Sequence, residues 1–181
     1  MYKWIYVPFI FLFLSNHSLT GQVYGTENGK ASFKAKMPLN SYTGESEQLK
    51  GSIDFKTKEM KFKVPVKSIK TGNQKRDEHM YDLLEAQKNP NVIFEGNLLD
   101  DYDFKQNTAQ TVKAKGDFTL AGTTRQITIL LDLKLGSEGT IQLTASWSLL
   151  ITDYNLERPS FTFIKINDKH ELNVNALLVE Q

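Results

Sequence analysis

MKFKVPVKSIKTGNQKRDEHMYDLLEAQKNPNVIFEG, Met60 to Gly96, is the stretch that decides how the rest of the chain is read. It opens with apolar residues at every second position, Met60, Phe62, Val64 and Val66, separated by Lys61, Lys63, Pro65 and Lys67. That is the period of a strand with one dry face. From Asp77 to about Gln87 the apolar positions Met80, Leu83 and Leu84 fall at helical spacing instead. Asn89-Pro90 stops the pattern, because proline disfavours a helical residue before it. Alternation resumes with Val92, Phe94 and Gly96. The spacing predicts one short helix near residues 77–87, inside a crossing between two strands, where it covers the mouth of a sheet.

On either side of this stretch the same two-residue period recurs. Gln22 to Gly29 reads as a ragged first strand ending in a turn at Asn28-Gly29. Ala31, Phe33, Ala35 and Met37 share a face, and the polar segment Pro38 to Lys50 reads as a long loop. Ile53 and Phe55 then point inward. Past Gly96, strands are expected over Val112–Leu120, Gln126–Gly136, Thr140–Ile151 and Phe161–Ile166, followed by a closing strand with Leu172, Val174, Ala176 and Leu178 inward. Ala121-Gly122-Thr123-Thr124 is a tight turn in which Gly122 takes positive φ. Eight or nine strands with a single apolar face must close or be covered, and one helix is too little cover. The expected fold is therefore all-β, an antiparallel closed barrel of about eight strands. At that size the interior is either filled by its own side chains or holds one small ligand, and the pattern fits both.

With 181 residues the chain suits one domain with a sizeable core. Its 22 basic and 21 acidic residues give no global field that selects nucleic acid. It has no cysteine, which excludes disulfides, thiolate metal sites, a cysteine nucleophile and a lipoprotein anchor. Lys3 followed by the apolar run Trp4–Leu14 reads as a signal peptide over residues 1–21. Residues 22–181 are then the mature domain, exported to the periplasm or outside the cell.

Several separated blocks resemble the signature of the YceI-like family, polyisoprenoid-binding secreted proteins with a lipocalin-like barrel. They are Ser68-Ile69-Lys70-Thr71, Arg76-Asp77-Glu78-His79-Met80, and Pro90 with Phe94. Further on come Gly116, Phe118-Thr119-Leu120, Gly122 with Thr124-Arg125, Asp153-Tyr154-Asn155-Leu156, and Pro159-Ser160 with Lys165-Ile166. Leu83-Leu84 stands where members often carry an aromatic pair, and the segment before Gly51 matches less well. The resemblance implies a lipocalin-like barrel with an elongated lipid cavity.

The expected inward set is almost purely hydrocarbon and aromatic: Phe33, Phe55, Phe62, Phe94, Phe118, Leu131, Leu133, Leu143, Trp147 and Val174. Such a lining holds a guest mainly by removing apolar surface from water, which selects a long aliphatic or unsaturated chain over a polar metabolite. The same residues meeting in a solid core is the competing reading. At the mouth, the Arg76 guanidinium suits a phosphate head group, with His79 beside it and Asp77 as helix cap. No ligand set for a metal is expected, and no cofactor beyond a bound lipid, a polyisoprenoid or a quinone. Lys56, Lys61, Lys63 and Lys67 share an outward hairpin surface suited to anionic lipid heads. No G-x-S-x-G elbow, phosphate loop or histidine-rich motif points to an enzyme. The expected function is an exported binding protein that stores or carries an amphiphilic lipid. A ligand-free envelope barrel serving protein interaction or structure is the alternative.

Overall fold

The computed structural model of the chain describes residues 23–38, 40–105, 108–161 and 164–181. The expected signal peptide, 1–21, lies outside the described residues. Among the described residues there are ten strands and one α-helix. In chain order they are β1 (Val23–Met37), β2 (Asn40–Asp54), β3 (Glu59–Pro65), α1 (Gln74–Leu83), β4 (Asn91–Leu98) and β5 (Gln110–Leu120). After them come β6 (Thr123–Leu135), β7 (Ile141–Leu150), β8 (Ser160–Phe161), β9 (Ile164–Lys165) and β10 (Lys169–Glu180). Eight of these close a barrel in the order β1-β10-β7-β6-β5-β4-β3-β2, while β8 and β9 pair only with each other. Every ladder in the barrel is antiparallel.

Four sequence expectations change. The polar segment from Pro38 to Lys50 is no loop: from Asn40 onward it belongs to β2, paired with β1 from Met37↔Asn40 through Val23↔Asp54. Its inward positions include Gly44 and Ser46, both buried, so the hydrocarbon alternation that marks other strands is missing. Asn28-Gly29 is no turn either; β1 passes through it with a register shift between Thr26 and Ala31. The helix starts earlier than 77, at Gln74, because Asn73 rather than Asp77 is its cap, accepting from the Arg76 amide at 3.0 Å. The strand expected over Phe161–Ile166 is instead the two short strands β8 and β9. The turn at Gly122 does take positive φ, +75°, with Ala121 beside it at +48°.

Register divides the barrel into two halves along its axis. In one half, Ile53, Leu131, Leu133, Ile141, Leu143 and Leu178 are at most 2 % exposed. An aromatic group closes that end: Tyr102 and Phe104 rings lie 4.8 Å apart, Phe55 lies 5.2 Å from each, and Tyr24 packs on Phe55 at 5.7 Å. In the other half, Ala31, Phe33, Ile127, Trp147, Leu149, Leu172 and Val174 sit on the same inward face yet remain only partly buried. Pairing places Phe33 beside Leu172 and Leu172 beside Trp147, so these residues form one band around the wall.

Two ladders stop short at the open half. β2 and β3 pair only from Lys50↔Lys63 to Ile53↔Met60. β6 and β7 pair only from Leu131↔Ala145 to Leu135↔Ile141. The crossing between β3 and β4 fills the first gap. Glu45 and Lys70 exchange two backbone hydrogen bonds of 2.9 and 2.8 Å, which makes the crossing a substitute partner for β2.

Candidate functional site

The rim of the open half is built by that crossing. Pro65 ends β3, and a 3-10 turn over Val66–Ser68 follows it. Ser68 Oγ donates to the Pro65 carbonyl at 2.6 Å, so the 2.6 Å contact between Ser68 and Ser46 is a donation from the buried Ser46 of β2. Asp77, 7 % exposed, accepts from the Thr71 amide at 2.8 Å and the Thr71 hydroxyl at 2.6 Å. It ties the loop to the first turn of α1, where a carboxylate also suits the helix dipole. The Tyr81 hydroxyl lies 2.8 Å from the Ile69 carbonyl and accepts from Lys70 Nζ at 2.7 Å. These bonds fix α1 against the barrel edge, with Met80, Tyr81 and Leu83 on the core.

From the rim inward runs a line of stacked groups. The Arg76 guanidinium lies 4.4 Å from the Tyr42 ring centroid. Tyr42 meets Phe33 edge-on at 6.0 Å, and Phe33 lies 5.9 Å from the His170 ring. Gly44 makes room for this: a Cβ there would stand 2.2 Å from the Phe33 ring. His170 is 8 % exposed, its Nδ1 3.1 Å from the Asp168 carbonyl. Burial pushes its pKa down, and the Asp168 carbonyl opposes that only in part. Burial likewise raises the Tyr42 hydroxyl, against a smaller pull from Arg76. Across the barrel Phe118 packs edge-on against Trp147 at 5.9 Å and Tyr154 at 5.7 Å. Trp147 Nε1 is buried and has no hydrogen-bond partner among the described residues.

The residues expected to line a cavity fall into four groups. Phe33, Trp147 and Val174 belong to the open band. Phe62, Phe94 and Phe118 form one cross-strand row and are buried, at 8, 6 and 4 % exposure. Leu131, Leu133 and Leu143, at 1, 0 and 2 %, are packed so tightly that no surface is left for a guest to touch. Phe55 belongs to the aromatic group at the opposite end. Sequence reasoning missed Tyr42 and His170, which lie beside Phe33; reading residues 40–49 as a strand would have put Tyr42 on the inward face. At the rim Arg76 is half-buried and His79 is exposed on α1. Lys56, Lys61, Lys63 and Lys67 are all exposed, and Lys61 is ion-paired with Glu95. No group of three or more His, Cys, Asp or Glu residues able to hold a metal ion occurs among the described residues.

The chain thus forms an eight-stranded barrel with one helix in its β3–β4 crossing. The model of the YceI-like domain matches residues 23–178. The chain belongs to the YceI-like family. None of the curated proteins matches it. A polyisoprenoid binding domain from Saccharophagus degradans, implicated in plant cell wall breakdown, superposes with a TM-score of 0.74 at 15 % identity. That alignment covers 89 % of this chain and 99 % of the other. BcnA of Burkholderia cenocepacia gives 0.67 at 14 % identity, over 83 % and 96 % of the two chains. The Campylobacter jejuni YCEI protein gives 0.58 at 22 % identity, over 76 % and 84 %. At these identities the likeness is one of fold. Within that YceI-like fold, the signature residues Thr71 and Asp77 fasten the crossing, and Arg125 meets Asp153 through a 2.7 Å bond to its carbonyl.

Proposed function

We propose that this chain is a non-enzymatic carrier that holds the tail of an amphiphilic lipid, a polyisoprenoid or isoprenoid quinone, in the open half of its barrel. One observation carries the reading: inward hydrocarbon and aromatic side chains from Phe33 to Val174 keep solvent access, in a fold whose other half is packed solid. Apolar surface left wet in this way gains free energy when a hydrocarbon covers it. The Arg76–Tyr42 stack at the rim supplies a cation where a phosphorylated or polar head would emerge. The description of the Saccharophagus degradans neighbour as a polyisoprenoid binding domain supports the same class of ligand. Export through residues 1–21 is part of the proposal, as is contact of the exposed lysines with anionic membrane during loading.

The test is direct. Protein purified without detergent is extracted with organic solvent, and the extract is examined by mass spectrometry for an isoprenoid. In a Trp4→Phe background, where Trp147 is the sole indole of the chain, added polyprenol is expected to shift the emission, while a sugar leaves it unchanged. The fully packed Leu131, Leu133 and Leu143 favour the second reading, a ligand-free structural barrel. A clean extract together with no response to polyprenol decides for it.

A further inference from the structure

The parting of β6 and β7 has the shape of an opening in the barrel wall. Their ladder ends at Leu131↔Ala145, although β6 reaches back to Thr123 and β7 runs on to Leu150. Both unpaired stretches stay extended because each keeps its other neighbour: Thr123–Leu130 pairs with β5, and Ser146–Leu150 with β10. Continued register would set Ile129 opposite Trp147 and Ile127 opposite Leu149. Instead the strands separate around a cleft of about 390 Å³ that includes Gln126, Ile127, Ser148 and Leu149 in its lining. The matching gap between β2 and β3 is filled by the crossing segment. Here the segment after β7 closes the far end, where Arg125 Nε donates to the Asp153 carbonyl at 2.7 Å, Asn155 Nδ2 donates to Thr123 Oγ1 at 3.2 Å, and the buried Tyr154 completes the cleft lining. From the last ladder pair to that closed end the seam runs roughly 15–20 Å, at about 3.3 Å per residue.

Its lips are mostly polar and uncharged, with Gln126, Thr128, Ser146 and Ser148 exposed on the outer face. Sheet edges in soluble proteins are usually paired, covered or charged. The lips of this seam carry Leu130, 52 % exposed, and Leu150, 42 % exposed, on the outer face. Behind them Ile127 and Leu149 lead to the open band. At the apex stands Trp147, whose buried indole N–H is unpartnered among the described residues.

We propose that the β6–β7 seam is a lateral portal through which the hydrocarbon tail of the lipid slides sideways into the barrel while its polar head stays at the rim. This rests on the lipid-carrying function proposed above. A tail threaded through the mouth must be ordered along its whole length before most of it is buried. A sideways path lets each segment leave water as it passes between the two strands.

The chain has no cysteine, so Thr128→Cys with Ser148→Cys creates a single thiol pair across the seam, at two exposed positions that continued register sets opposite each other. The pair is bridged with a reducible bifunctional thiol reagent in the Trp4→Phe background. Loading and release of a dansyl-labelled polyprenol from neutral phosphatidylcholine vesicles are followed by energy transfer from Trp147. The bridged protein is expected to load and release at least ~10-fold more slowly at unchanged final occupancy, with reduction restoring both rates. Equal rates with and without the bridge overturn the portal and leave the seam free for another occupant, such as an added peptide strand. If the unbridged protein takes up no probe, the lipid-carrying reading itself fails and the portal with it, a result distinct from uptake that ignores the bridge. Ser148→Phe, which fills the cleft from its lip and leaves Trp147 the sole indole, carries the same expectation without relying on bridging.

Discussion

At His170 a titratable ring is held where its charged form is disfavoured. It lies against Phe33, opposite Leu149 of β7 and Ala35 of β1, with the Asp168 carbonyl as its polar neighbour. Its folded pKa is depressed by burial. In the unfolded chain the ring takes up a proton near pH 6.5, whereas the folded ring does so only at lower pH. The unfolded state therefore binds more protons as pH falls below about 7, and the folded state loses stability over that window. Thermal unfolding is expected at a lower temperature at pH ~5.5 than at pH ~7.5, and the difference should shrink in His170→Phe. An unchanged pH dependence in that variant would show that other groups carry it.

The elements show how a polar sequence becomes a wall of the barrel. The first part of β2, residues 40–48, is held by its ladder to β1 and by the crossing, through Glu45–Lys70 and Ser46–Ser68, rather than by burying large side chains. Its hydrophobic pattern is faint for that reason. α1 depends on its cap: the Asn73 side chain satisfies the Arg76 amide, one of the amides left unpaired at a helix start. Asn73→Ala is expected to cost about 1 kcal/mol of stability in denaturant unfolding. Because α1 fastens the rim that holds Arg76, the same variant should lose affinity for a lipid with a charged head more than for its neutral analogue. Equal losses for both would detach Arg76 from head-group recognition.

For the molecule as a whole, the division into a packed half and an open half predicts two kinds of variant. Leu133→Ala removes a side chain with no exposed surface and is expected to cost about 2–5 kcal/mol, with lipid uptake intact in the protein that remains folded. Leu172→Ala, in the partly wet band, is expected to cost under about 2 kcal/mol yet to weaken polyprenol binding. Denaturant unfolding and polyprenol titration of the two proteins check the contrast. A Leu172→Ala protein that binds normally while Leu133→Ala does not would put the ligand in the wrong half.

Most of the barrel was legible because its strands alternate hydrocarbon with charge, a signal each strand carries by itself. Val112–Leu120, Ile127–Leu135 and Leu172–Leu178 read correctly on that ground alone. β2 did not, since Gly44 and Ser46 are inward through contacts with Phe33 and Ser68 that are distant in sequence. The helix was found but placed late, because Asp77 resembles a cap and its bond to Thr71 appears only in three dimensions. Local periodicity thus determined that this chain forms a one-sided antiparallel sheet, that the sheet closes, and which side chains face inward on the strands that alternate. Only the tertiary structure decided which of those side chains are packed to exclusion and which stay wet, and where the wall parts. Both depend on how far each ladder runs before twist and crossing segments separate neighbouring strands, a property of pairs of strands that no single strand encodes.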